Sequence, residues 1–120
     1  MEKTIKIDGR DILFRATAAV PRLYRIKFGR DIMQDMRDLQ TAIQKSESED
    51  QPIPVKMLEV FENVAYLMAR HADPDMKEHS VEEWLDTFGT FSIYEVFPQL
   101  FELWQLNNLS IGESKKKRTQ

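Results

Sequence analysis

The chain has 120 residues, 42% of them hydrophobic and 31% charged, enough for one core and too apolar for wholesale disorder. The absence of Cys excludes disulfides, thiolate metal sites, iron–sulfur clusters and cysteine nucleophiles, and no apolar run is long enough to span a bilayer. The net charge of −3 hides three blocks: ten Lys plus Arg against six Asp plus Glu in residues 1–45, three against thirteen in 46–111, and four against one in 112–120.

Such segregation suits either solvated faces or the docking of oppositely charged surfaces, head to tail between copies or with a partner. The start, MEKTIKIDGR, lacks the apolar stretch of a signal peptide, so a cytoplasmic location is expected.

In chain order, Thr4–Asp8 alternates polar residues with Ile5 and Ile7, which predicts a strand with one buried face. Asp8-Gly9 is a two-residue hairpin turn, since both residue types tolerate positive φ. Arg10–Arg15 is then the return strand, giving a hairpin over 4–15. A lone hairpin is marginal in water and must pack on something. Thr17 is the expected N-cap of a first helix, with Pro21 in its opening turns. Val20, Leu23, Tyr24 and Phe28 form its apolar face, and Gly29 offers a C-cap or kink. Asp31 stands where a second helix begins. There Ile32, Met36, Leu39 and Ile43 make a narrow stripe, with Asp35, Arg37 and Asp38 outside it. Lys45–Pro54, KSESEDQPIP, reads as a mobile surface loop inside one domain.

A long helix is expected from Val55 to about Ala72, ended by Asp73-Pro74. Its apolar residues, Met57, Leu58, Phe61, Val64, Ala65, Met68 and Ala72, are widened by Val60 and Leu67, which suits a central helix covered on two sides. Ser80-Val81-Glu82-Glu83 is a capping box for a short helix that turns Val81, Trp84, Leu85 and Phe88 inward and ends at Gly89. Ser92 caps the next, with Ile93, Val96, Phe97, Leu100, Phe101 and Trp104 on one face and Pro98 inside the pattern. Asn107, Asn108 and Gly112 close the fold, leaving 112–120 as a disordered basic tail. The expected architecture is α+β: mainly α, a small N-terminal hairpin, and four to five helices in a compact bundle within a single domain, 1–111.

No motif carries an enzyme. His71, Asp73, Asp75, Glu78 and His79 are close in sequence, but the spacing matches no metal pattern and Pro74 breaks the helix between them. A metal reading would need His71, Asp75 and His79 to converge on one ion. We read the group as an inter-helix loop, with metal and cofactor both none. Glu82 and Glu83 are adjacent, so they point about 100° apart on a helix. Glu47, Glu49 and Asp50 lack an apolar wall to raise a pKa. There is no nucleophile elbow and no Gly-rich phosphate loop.

The basic stretch Arg22, Arg25, Lys27 and Arg30 raises the alternative of a small nucleic-acid-binding regulator, against which stands the acidic middle of the chain. Phe88, Phe91, Tyr94, Phe97, Phe101 and Trp104 crowd into seventeen residues; most must be core, and any remainder is a candidate protein-binding patch. Met33, Met36, Met57 and Met68 suit either an adaptable groove or an ordinary core.

One segment goes beyond pattern. Phe14–Ile32, FRATAAVPRLYRIKFGRDI, with its A-T-A-x-x-P-R-L-Y-R block, the F-G-R-D-I that follows and the preceding hairpin, resembles the N-terminal region of tail assembly chaperones from long-tailed phages and prophages of Gram-positive bacteria. The block covers roughly a sixth of the chain; the hairpin-then-helices plan covers most of it.

The resemblance implies a non-catalytic protein of virion morphogenesis. It would act in the cytoplasm of the bacterial host, be discarded before the mature virion, and keep the tape measure protein soluble. The tail-tube protein and a longer frameshifted form of itself are further implied partners. The Lys115-Lys116-Lys117 run is where a slippery site would lie, or else a solubilising tail. Weak homo-oligomerisation and no membrane association are expected. Candidate contact residues are Arg22, Tyr24, Arg25, Phe28 and Arg30 for docking or self-association, and Phe97, Phe101 and Trp104 for apolar capture.

Overall fold

The turn at Asp8-Gly9 has φ of 53° and 75°, the pair of positive values a type I′ hairpin requires. It joins β1 (Glu2–Ile7) to β2 (Arg10–Arg15), paired antiparallel with Ile5 opposite Ile12 and Ile7 opposite Arg10. The strand begins two residues earlier than the alternation predicts. Pairing continues to the first residue, where Met1 and Ala16 exchange two backbone bonds of 2.8 Å. The computed structural model describes the backbone of residues 1–119 and the side chains of residues 1–108.

Helices follow: α1 (Val20–Phe28), α2 (Ile32–Glu49), α3 (Val55–Ala72), α4 (Val81–Leu85) and α5 (Ile93–Thr119). The architecture is the expected α+β one, a two-strand hairpin with five helices.

Helix α3 is the centre. β2, α1, α2, α4 and α5 all pack on it, and α5 also lies against β1. Eight of its residues between Val60 and Ala69 are buried, Tyr66 and Ala69 among them. A helix buried nearly all round needs covering elements on several sides, which here are the hairpin and four helices. The inward hairpin residues Ile5, Ile7 and Phe14 join the same core.

The hairpin answers its own marginality by fastening its tip. Gly89 N–H donates to Asp8 Oδ2 at 2.8 Å, Arg10 donates to the Thr87 carbonyl at 2.9 Å, and the Arg10 guanidinium lies 4.5 Å from the Phe88 ring centre.

Five expectations require correction. Helix α4 ends at Leu85 with Asp86 as its C-cap, four residues before Gly89. Thr17 does not cap α1: the N-cap is Ala19, without a side-chain bond, and Thr17 Oγ1 instead meets His71 Nε2 at 2.8 Å. Asp35 is not outside the α2 stripe but buried. Lys45–Glu49 is not loop, because α2 runs to Glu49; Ser46 is buried and bonds both the Gln51 carbonyl and the Tyr94 hydroxyl, so only Asp50–Pro54 connects α2 to α3. Finally, α5 does not stop near Asn107 but continues through Pro98 and Gly112 to Thr119. The basic tail 112–120 lies outside the described side chains.

The expected helix start at Asp31 and the expected caps at Gly29 and Ser80 match the structure. Asp31 Oδ1 accepts from Met33 N–H at 3.0 Å. Gly29 is left-handed at φ 68°, its N–H on the Arg25 carbonyl. Ser80 Oγ accepts from Glu83 N–H at 3.1 Å, and Glu83 reaches back to His79 N–H, one residue before the cap.

Candidate partner-binding site

Helix α1 is short, and its apolar residues do different jobs. Val20 and Tyr24 are buried, while Leu23 and Phe28 are half-buried. Ile26, on the other side, is 69% exposed. Leu23, Ile26 and Lys27 of α1 face Leu67, Arg70 and His71 of α3, with Pro74 closing the end. Together they line an open groove of about 510 Å³.

Its apolar floor ends in cations. Lys27 Nζ lies 5.5 Å from the Tyr66 ring centre and 5.9 Å from that of Phe28, within cation–π range. Arg70 donates to the Glu78 carbonyl at 2.9 Å, and at 3.4 Å to the Met76 carbonyl and the Tyr66 hydroxyl. These bonds hold the guanidinium in place along the groove. Burial, then the Arg15 and N-terminal charges, keeps the His71 imidazole below its ordinary value, so at neutral pH it is an uncharged partner of Thr17.

The sequence-predicted contact residues divide. Arg22 and Arg25 are exposed on α1 and are not among the residues lining this groove. Tyr24 is fully buried, so it is a core residue and not a contact residue. Its hydroxyl donates to Asp35 Oδ2 at 2.7 Å, and Arg30 forks onto the same carboxylate at 2.7 and 2.8 Å.

Arg30 is therefore an anchor between α1 and α2 and not a free docking cation. Burial pushes the Asp35 carboxyl up, but the bonds from Arg30 and Tyr24 and the Arg30 charge outweigh it, leaving the carboxyl below the usual value. Burial, then the hydrogen bond and charge of Asp35, push the Tyr24 phenol well above its usual range.

Phe97 and Trp104 are 3% exposed, so apolar capture by them is also corrected: they fill the core of this chain. Phe97 stacks on Phe101, 5.3 Å between centres, and meets Phe61 edge-on. Phe101 is half-buried. The aromatic crowd is mostly absorbed around Trp84, which touches Phe14, Tyr66, Phe88 and Phe91. Its exposed member is Tyr94, at 47%. Among the methionines considered for a groove, Met36 and Met68 are buried, Met57 is half-buried and Met33 is exposed.

Among the described residues, no three His, Asp or Glu side chains are placed to hold a metal ion. His71 faces Thr17, and His79 Nδ1 sits 3.5 Å from Arg70. No described helix is long and apolar enough to cross a membrane.

Sequence reading missed the groove because its walls come from segments forty residues apart. The available signal was Ile26, an apolar residue off the buried face of α1. No protein-family model matches the chain, and no curated protein or solved structure is detectably similar to it.

Proposed function

We propose that the chain is a non-catalytic tail assembly chaperone, acting in the bacterial cytoplasm to bind and solubilise the tape measure protein. The observation that carries the proposal is the open apolar groove on α1, the helix built by the block that resembles this family. Leu23, Ile26 and Lys27 all belong to that block or directly follow it. A free tape measure exposes long apolar helical stripes, which aggregate unless covered. A groove between two helices suits the helix-in-groove mode of cover. The tail-tube protein and a longer, frameshifted form of the chain are further partners on this reading.

The nucleic-acid alternative gains nothing specific. Arg30 is engaged by Asp35, which leaves a small cationic patch on a nine-residue helix.

The test is co-expression with the tape measure protein encoded beside it, scored by soluble recovery and co-purification. Recovery of an otherwise insoluble partner, in many copies per partner, is the expected result. No rescue and no association, with both proteins folded, overturns the proposal.

A further inference from the structure

We infer that the α1–α3 groove selects an amphipathic helix whose apolar stripe is bordered by Asp or Glu. The identity of that helix as a tape measure segment rests on the function proposed above; its chemistry rests on the groove alone.

Three features carry the inference. First, the apolar lining is open to solvent, with Ile26 69% exposed. Ordinary single exposed apolar residues need no explanation, but this one borders a concave surface with Leu23, Leu67 and Pro74.

Second, every charged group in the lining is cationic. Lys27 and Arg70 border the floor with no carboxylate among the lining residues, and Arg22 and Arg25 extend the same sign along exposed α1. The other grooves differ. The one beside β2 includes Asp11, Asp73 and Glu78, the one along α2 includes Asp38, and the one at the start of α3 sets Glu59 among Lys27, Arg30 and Lys56. Among these grooves of the described residues, the α1–α3 groove offers an occupant with carboxylates on the borders of its stripe cations without a competing carboxylate in the lining.

Third, the long walls are helices, whose backbone groups are bonded within α1 and α3. They offer no free strand edge to an extended peptide. An occupant must satisfy its own backbone hydrogen bonds while burying side chains, and a helix does both. Arg70, already held by the Glu78 carbonyl, points its charge at a fixed place and loses little freedom on binding.

The test uses the full chain and two synthetic helical peptides with one shared Leu/Ile stripe, bordered by Glu in one and by Lys in the other. Binding is read by fluorescence anisotropy at low and high salt. The Glu-bordered peptide is expected to bind at least about tenfold more tightly, with the gap closing as salt rises. Lys27→Glu is expected to shrink or reverse the preference, and Ile26→Asp to weaken both peptides while leaving the circular dichroism unchanged.

Equal binding of the two peptides, tighter binding of the Lys-bordered one, or no binding of either overturns the inference. So does concentration-dependent self-association that Ile26→Asp abolishes, since a second copy would then fill the groove. Rescue of the tape measure protein without the Glu preference overturns this inference and leaves the chaperone function standing. The Glu preference without rescue does the reverse.

Discussion

Asp35 shows how much one buried carboxylate decides. It is the last residue to expect in a core, yet it takes a hydroxyl from α1 and a guanidinium from the α1–α2 connection. Breaking a buried pair by removing one partner costs more than the pair contributes, because the other groups are left unsatisfied. Asp35→Ala is expected to cost about 2–3 kcal/mol in urea unfolding at neutral pH. Asp35→Asn keeps an acceptor for Tyr24 and is expected to cost less.

The pH dependence has a definite sign. The folded carboxyl lies below its unfolded value, so the unfolded chain takes up the proton first. The stabilisation is fully present above the ordinary carboxylate value and is lost as pH falls through the lowered one. The acid limb of stability should therefore be shallower in Asp35→Asn than in the parent chain. Identical limbs would remove Asp35 from the account.

The helices begin and end for local reasons. Gly29 ends α1 in the left-handed region, and a Cβ added there would meet nothing within 4 Å. Any effect of Gly29→Ala is thus backbone strain alone, expected at about 1 kcal/mol by urea unfolding. A neutral result would mean the chain relaxes at the α1–α2 junction. Asp50 performs the same turn at the end of α2 with φ 53°, a conformation Asp tolerates better than most residues. That helix outran its expected end because Ser46 finds the Gln51 carbonyl and Tyr94. Polar composition alone looks the same in a loop and in the last turns of a helix.

Across the whole molecule the pieces share one core. Trp84 reports on the hairpin side, against Phe14, and Trp104 on α5. Since α3 contacts both regions, intrinsic fluorescence and far-UV circular dichroism should report one coincident unfolding transition. An earlier loss of the Trp84 signal in a Trp104→Phe variant would show that the hairpin docks as a separate unit. The uneven charge is also partly spent inside the molecule. Lys3 of the basic front reaches Glu102 of the acidic middle at 2.9 Å, and Arg30 reaches Asp35 within the front itself. Arg22, Arg25 and Lys27 stay exposed on α1.

Local chemistry was legible from the sequence. The Asp8-Gly9 turn, the helix start at Asp31, the cap at Ser80, the Gly29 stop, the bounds of α3 and the inward stripes of α2 and α5 all follow from φ preferences, side-chain reach and a 3.6-residue period. These act within a few residues, so a linear string contains them. The tertiary structure alone decided which polar residues were buried, where Thr17 spent its hydroxyl, that Phe97 and Trp104 were core, and that α1 and α3 enclose a groove. Each of those depends on a partner brought close by folding from a distant part of the chain, and burial is a property of the pair, not of either residue.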